Sequence, residues 1–179
     1  MLRRLIFLWM LLPLSGYGQH IAQPKSQQNV AADHSYFWGH IPQPGGWVND
    51  YEGIFSEEER AGLTARLTRI MPQSNAQFCI VTIDTTAVAP EKFDSLIRYI
   101  ANVWGVGQKG LNNGITIGIC KGYRRIRICN GRGVEARLTD AATQEIIDGQ
   151  MIPCFRKGAY YDGMLAGLDA LAARLSAKK

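Results

Sequence analysis

Two carboxylates, Glu135 and Asp140, follow a predicted strand whose end is marked by glycines. Two turns upstream also carry side-chain oxygens, one at Asp50 and one at Asn113. Carboxylate and amide oxygens are the ligands that Ca²⁺ and Mg²⁺ prefer in proteins. If the fold gathers these turns at one end of a sheet, we expect the three carboxylates, joined by Asn113, to surround a divalent cation or a water-filled acidic pocket.

The same residue types also serve ordinary local structure. Glycine supplies the positive φ that many turns need, and Asp is a common helix N-cap. For each turn taken alone, this structural use is the more common explanation. The prediction of a cation site therefore depends on how the chain brings the three turns together.

A basic cluster surrounds a predicted β-hairpin. Its members are Lys121, Arg124, Arg125, Arg127, Arg132 and Arg137. Charged side chains on an edge strand discourage pairing between sheets, which would make the cluster a solvated surface. The alternative is a site for a phospholipid headgroup, a phosphate or an acidic protein face, with Arg125, Arg127 and Arg132 as its contacts. Arg132 is the best placed of the three, because a turn flanked by glycines can present backbone N–H groups beside it.

The N-terminus has the features of a secretory signal peptide. Arg3 and Arg4 precede an apolar run at residues 5–14, and the small residues Gly16 and Gly18 suit a signal-peptidase site. The apolar run is too short to span a membrane, since a spanning helix needs about 20 apolar residues. We therefore expect cleavage after Gly18 and a protein that is periplasmic or secreted.

Cleavage would leave a length that suits one domain. Residues 1–18 form the predicted signal peptide, residues 19–46 a polar leader or linker, and residues 47–179 the domain. Loss of two arginines lowers the basic count from 20 to 18 against 15 acidic residues, so the net charge falls from +5 to +3. This charge is too small to predict a nucleic-acid partner. We also expect no transmembrane segment in the mature chain.

The cysteine pattern leaves the disulfide state open. The cysteines are Cys79, Cys120, Cys129 and Cys154. An exported location permits disulfides, but three of these residues lie in strand-like apolar runs, where cysteine behaves as a small hydrophobic residue. Cys120 and Cys129 flank the predicted hairpin at unequal distances from its turn, so we do not expect a direct bridge between them.

Hydrophobic periodicity predicts the element order α-β-α-β-β-α-α, with a further short strand near Val48. The predicted helices cover about 56–71, 90–104, 139–151 and 160–177, and the predicted strands 77–84, 115–120 and 125–130. Ser56 and Glu59 form a capping box at the start of the first helix, and Pro72 is expected to end it. Strands interleaved with helices indicate an α/β fold, a three-layer α/β/α sandwich around a small mixed sheet.

Several segments, in this order along the chain, carry a resemblance to a known family. They read VND at 48–50, IFSEEE at 54–59, WGVG at 104–107, NNGI at 112–115, GRGVE at 131–135, LTD at 138–140 and MIPCFRKGAYY at 151–161. Together they resemble the TPM domain family, over about residues 45–175. The family includes thylakoid-lumen proteins of photosystem II repair and exported bacterial proteins. The resemblance implies a Rossmann-like α/β/α sandwich.

The resemblance also implies a function. Relatives are reported to bind calcium, so we expect Ca²⁺ rather than Mg²⁺, with a dissociation constant on the order of micromolar to millimolar. Relatives are thought to assist protein complexes, which implies a binding or assembly module for a membrane or envelope protein complex. Two positions depart from the family pattern: Arg132 replaces a frequent aromatic residue, and Asn112 replaces a frequent Asp.

A low-rate, metal-assisted acid phosphatase is the alternative that the resemblance implies. The sequence has no P-loop, no histidine-rich metal motif and no Gly-x-Ser-x-Gly elbow. Its histidines, His20, His34 and His40, all precede the predicted domain, so no imidazole is expected to act there. A carboxylate working with a metal ion remains, with Asp50 or Asp140 as the candidate catalytic residue.

Overall fold

The structure, a computed structural model, describes residues 36–177. The predicted signal peptide at 1–18 and most of the predicted leader lie outside the described residues. Within residues 36–177, no helix combines the length and the apolar character needed to cross a bilayer.

A four-stranded sheet in the order β1-β2-β3-β4 forms the middle layer. Its strands are β1 (Val48–Asp50), β2 (Gln77–Thr82), β3 (Gly114–Cys120) and β4 (Arg125–Asn130). β1, β2 and β3 run parallel, whereas β4 runs antiparallel to β3. The sheet is therefore mixed, as predicted, and the short strand near Val48 is confirmed.

Helices cover both faces of the sheet. They are α1 (Tyr36–Gly39), α2 (Glu57–Ser74), α3 (Phe93–Val103), α4 (Arg132–Glu135), α5 (Asp140–Ile146), α6 (Ile152–Phe155) and α7 (Tyr160–Ser176). A 3₁₀ turn at Pro90–Lys92 leads into α3, and a π-helical turn at Ile147–Met151 joins α5 to α6. The predicted three-layer α/β/α sandwich is confirmed.

Each face of the sheet buries its own core, because successive side chains of a strand point to opposite faces. On one face, Ile80 and Ile117 pack with Leu67 of α2 and with α7. On the other face, Val81 packs with Ile97 and the rest of α3. Strands β2 and β3 are buried along nearly their whole length, which is why they read as continuous apolar runs.

Proline affects the helices less than the sequence prediction assumed. Helix α2 continues through Pro72 and ends at Ser74, and its C-cap residue Asn75 has a left-handed φ of 50° and ψ of 44°. In a last turn the proline ring disturbs little of the helix, and asparagine accepts this cap conformation. Pro153 lies in the first turn of α6, where the missing N–H costs no hydrogen bond.

The close packing of α3 on the sheet gives a stability prediction. A Cβ atom at Gly118 of β3 would lie 2.3 Å from Cδ1 of the buried Ile97. We expect Gly118→Ala to lower the free energy of unfolding by about 1–3 kcal/mol, because the packed core cannot move aside freely. Gly149→Ala is the matched control, since its Cβ would meet no atom within 4 Å. Urea unfolding followed by circular dichroism measures both, and equal effects would contradict the packing argument.

Candidate functional site

The direction of the strands divides the predicted metal ligands between two edges of the sheet. Asp50 ends β1 and lies where the parallel strands end, since it is in register with Thr82 of β2. Glu135 and Asp140 follow β4, which runs the other way, so they lie at the opposite edge. The expected meeting of Asp50 with Glu135 and Asp140 therefore does not occur, because β4 is antiparallel.

The carboxylate of Asp50 already accepts hydrogen bonds from residues near it in the fold. Its side chain is 1% exposed, and Arg60 lies 3.8 Å from Oδ2. Oδ1 accepts hydrogen bonds from the Ile54 N–H at 3.1 Å and the Thr82 hydroxyl at 2.6 Å, and Oδ2 accepts from the Phe55 N–H at 3.0 Å. The carboxylate thus fixes the loop between β1 and α2, and few of its lone pairs remain for a cation.

The side-chain amide of Asn113 is likewise hydrogen bonded to neighbouring residues. It is 3% exposed, and its Oδ1 accepts a hydrogen bond from the Gln108 N–H at 2.8 Å. Its Nδ2 donates to the Asn75 carbonyl at 2.9 Å and to Gln108 Oε1 at 3.0 Å. These bonds tie the turn before β3 to the end of α2, so Asn113 acts as a structural residue rather than as a free ligand.

Glu135 and Asp140 line a common cavity of about 670 Å³, which we call the Glu135 cavity. Its walls come from α3, from the α3-facing side of β3 and β4, and from the turns on either side of these strands. The polar side chains in its lining are Arg98, Asn102, Asn112, Thr116, Arg127, Asn130, Arg132, Glu135 and Asp140. Two of the four predicted metal ligands, together with two of the three predicted anion contacts, therefore share one space.

Two glycines allow the turns that bound the Glu135 cavity to pack against each other. A Cβ atom on Gly133 would lie 1.9 Å from the Leu111 carbonyl oxygen, and one on Gly131 would lie 2.2 Å from the Asn112 carbonyl oxygen. The Gly133 N–H donates to the Asn112 carbonyl at 2.9 Å. Only glycine permits this backbone approach, which fixes the start of α4 beside the turn before β3.

Buried polar atoms in the lining have no hydrogen-bond partner among residues 36–177. They are Thr116 Oγ1, Arg127 Nε and Asn130 Oδ1. The amide nitrogen of Asn130 is paired, since it donates to Thr143 Oγ1 at 2.8 Å and to the Leu138 carbonyl at 3.2 Å. Because buried polar groups are nearly always paired, these atoms indicate a space that accommodates water or a ligand.

The charges of the Glu135 cavity are mixed. Within the described part of the chain, neither Glu135 nor Asp140 forms a hydrogen bond or ion pair through its side chain. Three arginines, Arg98, Arg127 and Arg132, line the same space. No group of three or more His, Cys, Asp or Glu side chains arranged for a metal occurs among the described residues. A cation there would thus depend on two carboxylates and an amide oxygen.

Arg125, the third predicted anion contact, lies away from this cavity. Its guanidinium is 3.2 Å from Asp94 Oδ1 and donates to the Pro90 carbonyl at 2.5 Å. Residues 125 and 127 are separated because the chain direction of β4 carries Arg125 to the edge where the parallel strands end. The predicted arginine set is therefore divided in the same way as the carboxylates.

Sequence reasoning missed Thr116, Asn130 and Arg98. A threonine inside the apolar strand GITIGIC was an available signal, since a hydroxyl there needs a partner. Asn130 directly precedes the glycine motif and could have been noticed for the same reason. Arg98 gave no signal, because a solvated arginine on a helix has the same pattern.

Cys79 and Cys129 are poor nucleophiles at neutral pH. All four are free thiols in the structure. Burial raises the pKa of Cys79 to about 12. Burial also raises the pKa of Cys129, which lines the Glu135 cavity, although Arg127 acts in the opposite direction. The thiol form therefore dominates at both positions.

Comparison with known proteins finds a matching family model and solved structures of similar fold. A family model described as TPM domain matches residues 48–174. The chain is similar to the solution NMR structure of the N-terminal domain of a P. gingivalis protein, at 32% identity and a TM-score of 0.64, over 72% of this chain and 81% of that one. It is also similar in fold to the N-terminal domain of a Corynebacterium glutamicum protein, at 13% identity and a TM-score of 0.53, over 72% and 79%. No curated protein matches.

The structural role of Asp50 is testable. We expect Asp50→Ala to lower the free energy of unfolding by about 2–4 kcal/mol, because three buried donors lose their acceptor. Asp50→Asn keeps an acceptor oxygen and should cost less. Glu57→Ala, which removes an exposed carboxylate from the first turn of α2, should cost about 0.5 kcal/mol or less.

Urea unfolding gives these free energies, and calorimetric titration with CaCl₂ gives the metal affinity of the folded Asp50→Asn protein. The assignment predicts an affinity equal to that of the wild type. Complete loss of calcium binding in a stable Asp50→Asn protein would show that Asp50 is a metal ligand after all.

Proposed function

Because this chain belongs to the TPM domain family, we propose that it is a non-catalytic binding module whose binding site is the Glu135 cavity. The site would hold a divalent cation weakly and would receive an acidic group of a partner. The partner we propose is a membrane or envelope protein complex, which the family resemblance implies. The chain would act after export, in the periplasm or outside the cell.

One observation supports this proposal above the others. The side chains of Glu135 and Asp140 are unpaired among the described residues and line the same cavity as the buried, unpartnered Asn130 Oδ1. Carboxylate and amide oxygens without protein partners are suited to a hard cation. Glu135 and Asp140 are exposed to solvent, so the buried Asn130 Oδ1 is the oxygen whose missing partner is unusual in a folded protein.

The donor set fits calcium better than magnesium. Two carboxylates and the Asn130 amide oxygen supply only part of the six to eight oxygens that Ca²⁺ takes. Water or a partner group would supply the rest, and Mg²⁺ is less tolerant of such irregular sets. Three nearby arginines weaken the attraction, so we expect a dissociation constant of about 0.1–1 mM.

The arginines also suggest what the partner contributes. Arg98, Arg127 and Arg132 leave the Glu135 cavity with one more positive than negative side chain. Adding a divalent cation makes the excess larger, and an acidic group of the partner would offset it. A carboxylate or phosphate shared between the cation and Arg132 would make calcium and partner binding mutually dependent.

The cation site is tested by calorimetric titration with CaCl₂. We expect Glu135→Gln and Asp140→Asn each to weaken binding by about tenfold, because each removes one of two charged ligands. Glu145→Gln is the matched control, since Glu145 is an exposed carboxylate of α5 outside the cavity lining. Absence of binding to the wild type at several millimolar calcium, or an equal loss in Glu145→Gln, would refute the site.

A metal-assisted phosphatase is the second candidate, because arginines and carboxylates share one cavity. Arg127 and Arg132 could hold phosphoryl oxygens, and Asp140 could accept a proton from the attacking water. When bound, the cation supplies Lewis-acid activation. Asp50 is not part of this proposal, since it lies at the other edge of the sheet.

Hydrolysis of p-nitrophenyl phosphate by the same variants separates the two candidates. The binding-module proposal predicts that any residual rate is equal in wild type, Asp140→Asn and Glu145→Gln, as a contaminating enzyme would give. A fall of a hundredfold or so confined to Asp140→Asn would instead favour the enzyme, since general acid–base groups contribute on that order.

Export has its own test. Expression of residues 1–179 in a Gram-negative host should yield a periplasmic protein whose measured mass corresponds to residues 19–179. Gly18→Leu should block cleavage, because the signal-peptidase site requires a small residue there. Recovery of the wild-type protein only from the cytoplasm, with residues 1–18 retained, would contradict the proposal.

A further inference from the structure

A second cavity lies at the edge of the sheet opposite to the Glu135 cavity. It has a volume of about 950 Å³ and is bounded by the β3–β4 turn, the β1–α2 loop and the segment from α6 to α7; we call it the hairpin cavity. Ligand pockets for small organic molecules measure roughly 300–1,000 Å³. The two cavities share no lining residue, so the hairpin cavity is a separate candidate site.

The floor of the hairpin cavity is apolar. It consists of Ile54, Ile126, Ile152, Phe155 and Tyr160, all partly buried against the core beneath. The rings of Phe155 and Tyr160 stack with their centroids 4.8 Å apart and an interplanar angle of 25°. A surface of this kind gains free energy when an apolar or aromatic group covers it.

Cations without acidic partners line the same cavity. Lys121, Arg124 and Arg156 are exposed, and in the part of the chain that is described none has a carboxylate within ion-pair distance. The Lys121 Nζ instead lies 5.7 Å from the centroid of the Tyr160 ring. Arg125 differs from these three, since it is already paired with Asp94. Unpaired cations beside an apolar floor complement an anion that carries an apolar body.

Glu52, the acidic residue that lines the hairpin cavity, already has hydrogen-bond partners. Glu52 accepts hydrogen bonds from the backbone N–H groups of Lys121 at 2.7 Å and Gly122 at 3.0 Å. Burial raises the pKa of this carboxyl group, against the lowering effect of the two hydrogen bonds. Glu52 therefore fixes the shape of the turn and leaves the three unpaired cations in excess.

The backbone of the turn adds a separate indication. Arg124 has a φ of 52°, in the left-handed region that glycine or asparagine occupies at lower cost. Non-glycine residues in such conformations are concentrated at functional sites.

We infer that the hairpin cavity binds a small organic anion. Its apolar or aromatic body would cover the floor of Phe155 and Tyr160, and its anionic group would meet Lys121, Arg124 and Arg156. An inorganic anion would leave the floor exposed to water, and a neutral apolar molecule would desolvate the cations without pairing them. This site goes beyond the function proposed for the Glu135 cavity and does not depend on it.

Two dyes with the same aromatic body test the inference. 8-Anilinonaphthalene-1-sulfonate carries a sulfonate, and N-phenyl-1-naphthylamine is its uncharged counterpart. In fluorescence titrations of the folded protein we expect saturable binding of the sulfonate at a single site. The uncharged dye should bind at least about fivefold more weakly, since it pairs with none of the cations.

Substitutions identify the cations. The double variant Arg124→Gln/Arg156→Gln should weaken sulfonate binding by about tenfold and leave the binding of the uncharged dye nearly unchanged. Both arginines are exposed and unpaired among the described residues, so the variant should keep the wild-type circular dichroism spectrum. Arg69→Gln, which removes an exposed arginine of α2, is the charge control and should not alter sulfonate binding.

Amide chemical shifts locate the dye. In ¹⁵N-labelled protein, the sulfonate should shift the resonances of Lys121, Gly122 and Gly158, and leave those of Gly131 and Gly133 unmoved. The inference is overturned by any of three results: no saturable binding up to about 1 mM sulfonate, equal affinity for the two dyes, or shifts centred on Gly131 and Gly133.

Discussion

Antiparallel hydrogen bonding between β3 and β4 determines which turns of this domain can meet. β1, β2 and β3 end at one edge of the sheet, and the reversal of β4 returns the chain to the other. The turn at the reversal carries Lys121 and Arg124, whereas the segment that follows β4 carries Glu135 and Asp140. One reversal thus supplies a basic turn to the hairpin cavity and two carboxylates to the Glu135 cavity.

The register of the same two strands determines the chemistry of each face. Gly118 is opposite Arg127, so the arginine lies beside a residue without a side chain, on the face that α3 covers. Thr116, opposite Cys129, brings a hydroxyl to the same face. Ile126 and Ile128 point to the other face and join the core under α7. Alternation along β4 therefore places Arg127 and Cys129 on the face of α3 and Ile126 and Ile128 in the other core, and a slip of one residue would exchange them.

The elements were predictable, because they depend on local patterns. The continuous apolar runs of β2 and β3 and the capping box at Ser56 are visible in the sequence and determine structure nearby. The site was only partly predictable, because the position of a turn depends on the direction of strands far along the chain. Asp50 carries the same carboxylate as Asp140, yet the fold uses it to fix a loop. Asn130 is a candidate ligand because its amide nitrogen is hydrogen bonded and its amide oxygen is not. This difference depends on tertiary contacts and cannot be read from the sequence.

The central claim is that the oxygens of the Glu135 cavity form a single cation site. The side-chain amide resonances of Asn130 test it most directly, since its nitrogen is anchored to Thr143 and its oxygen is unpaired among the described residues. On titration of ¹⁵N-labelled protein with CaCl₂, these resonances should move in step with the backbone amides of Glu135 and Asp140. Unmoved Asn130 resonances at several millimolar calcium, with shifts instead confined to the loop after Asp50, would contradict the account.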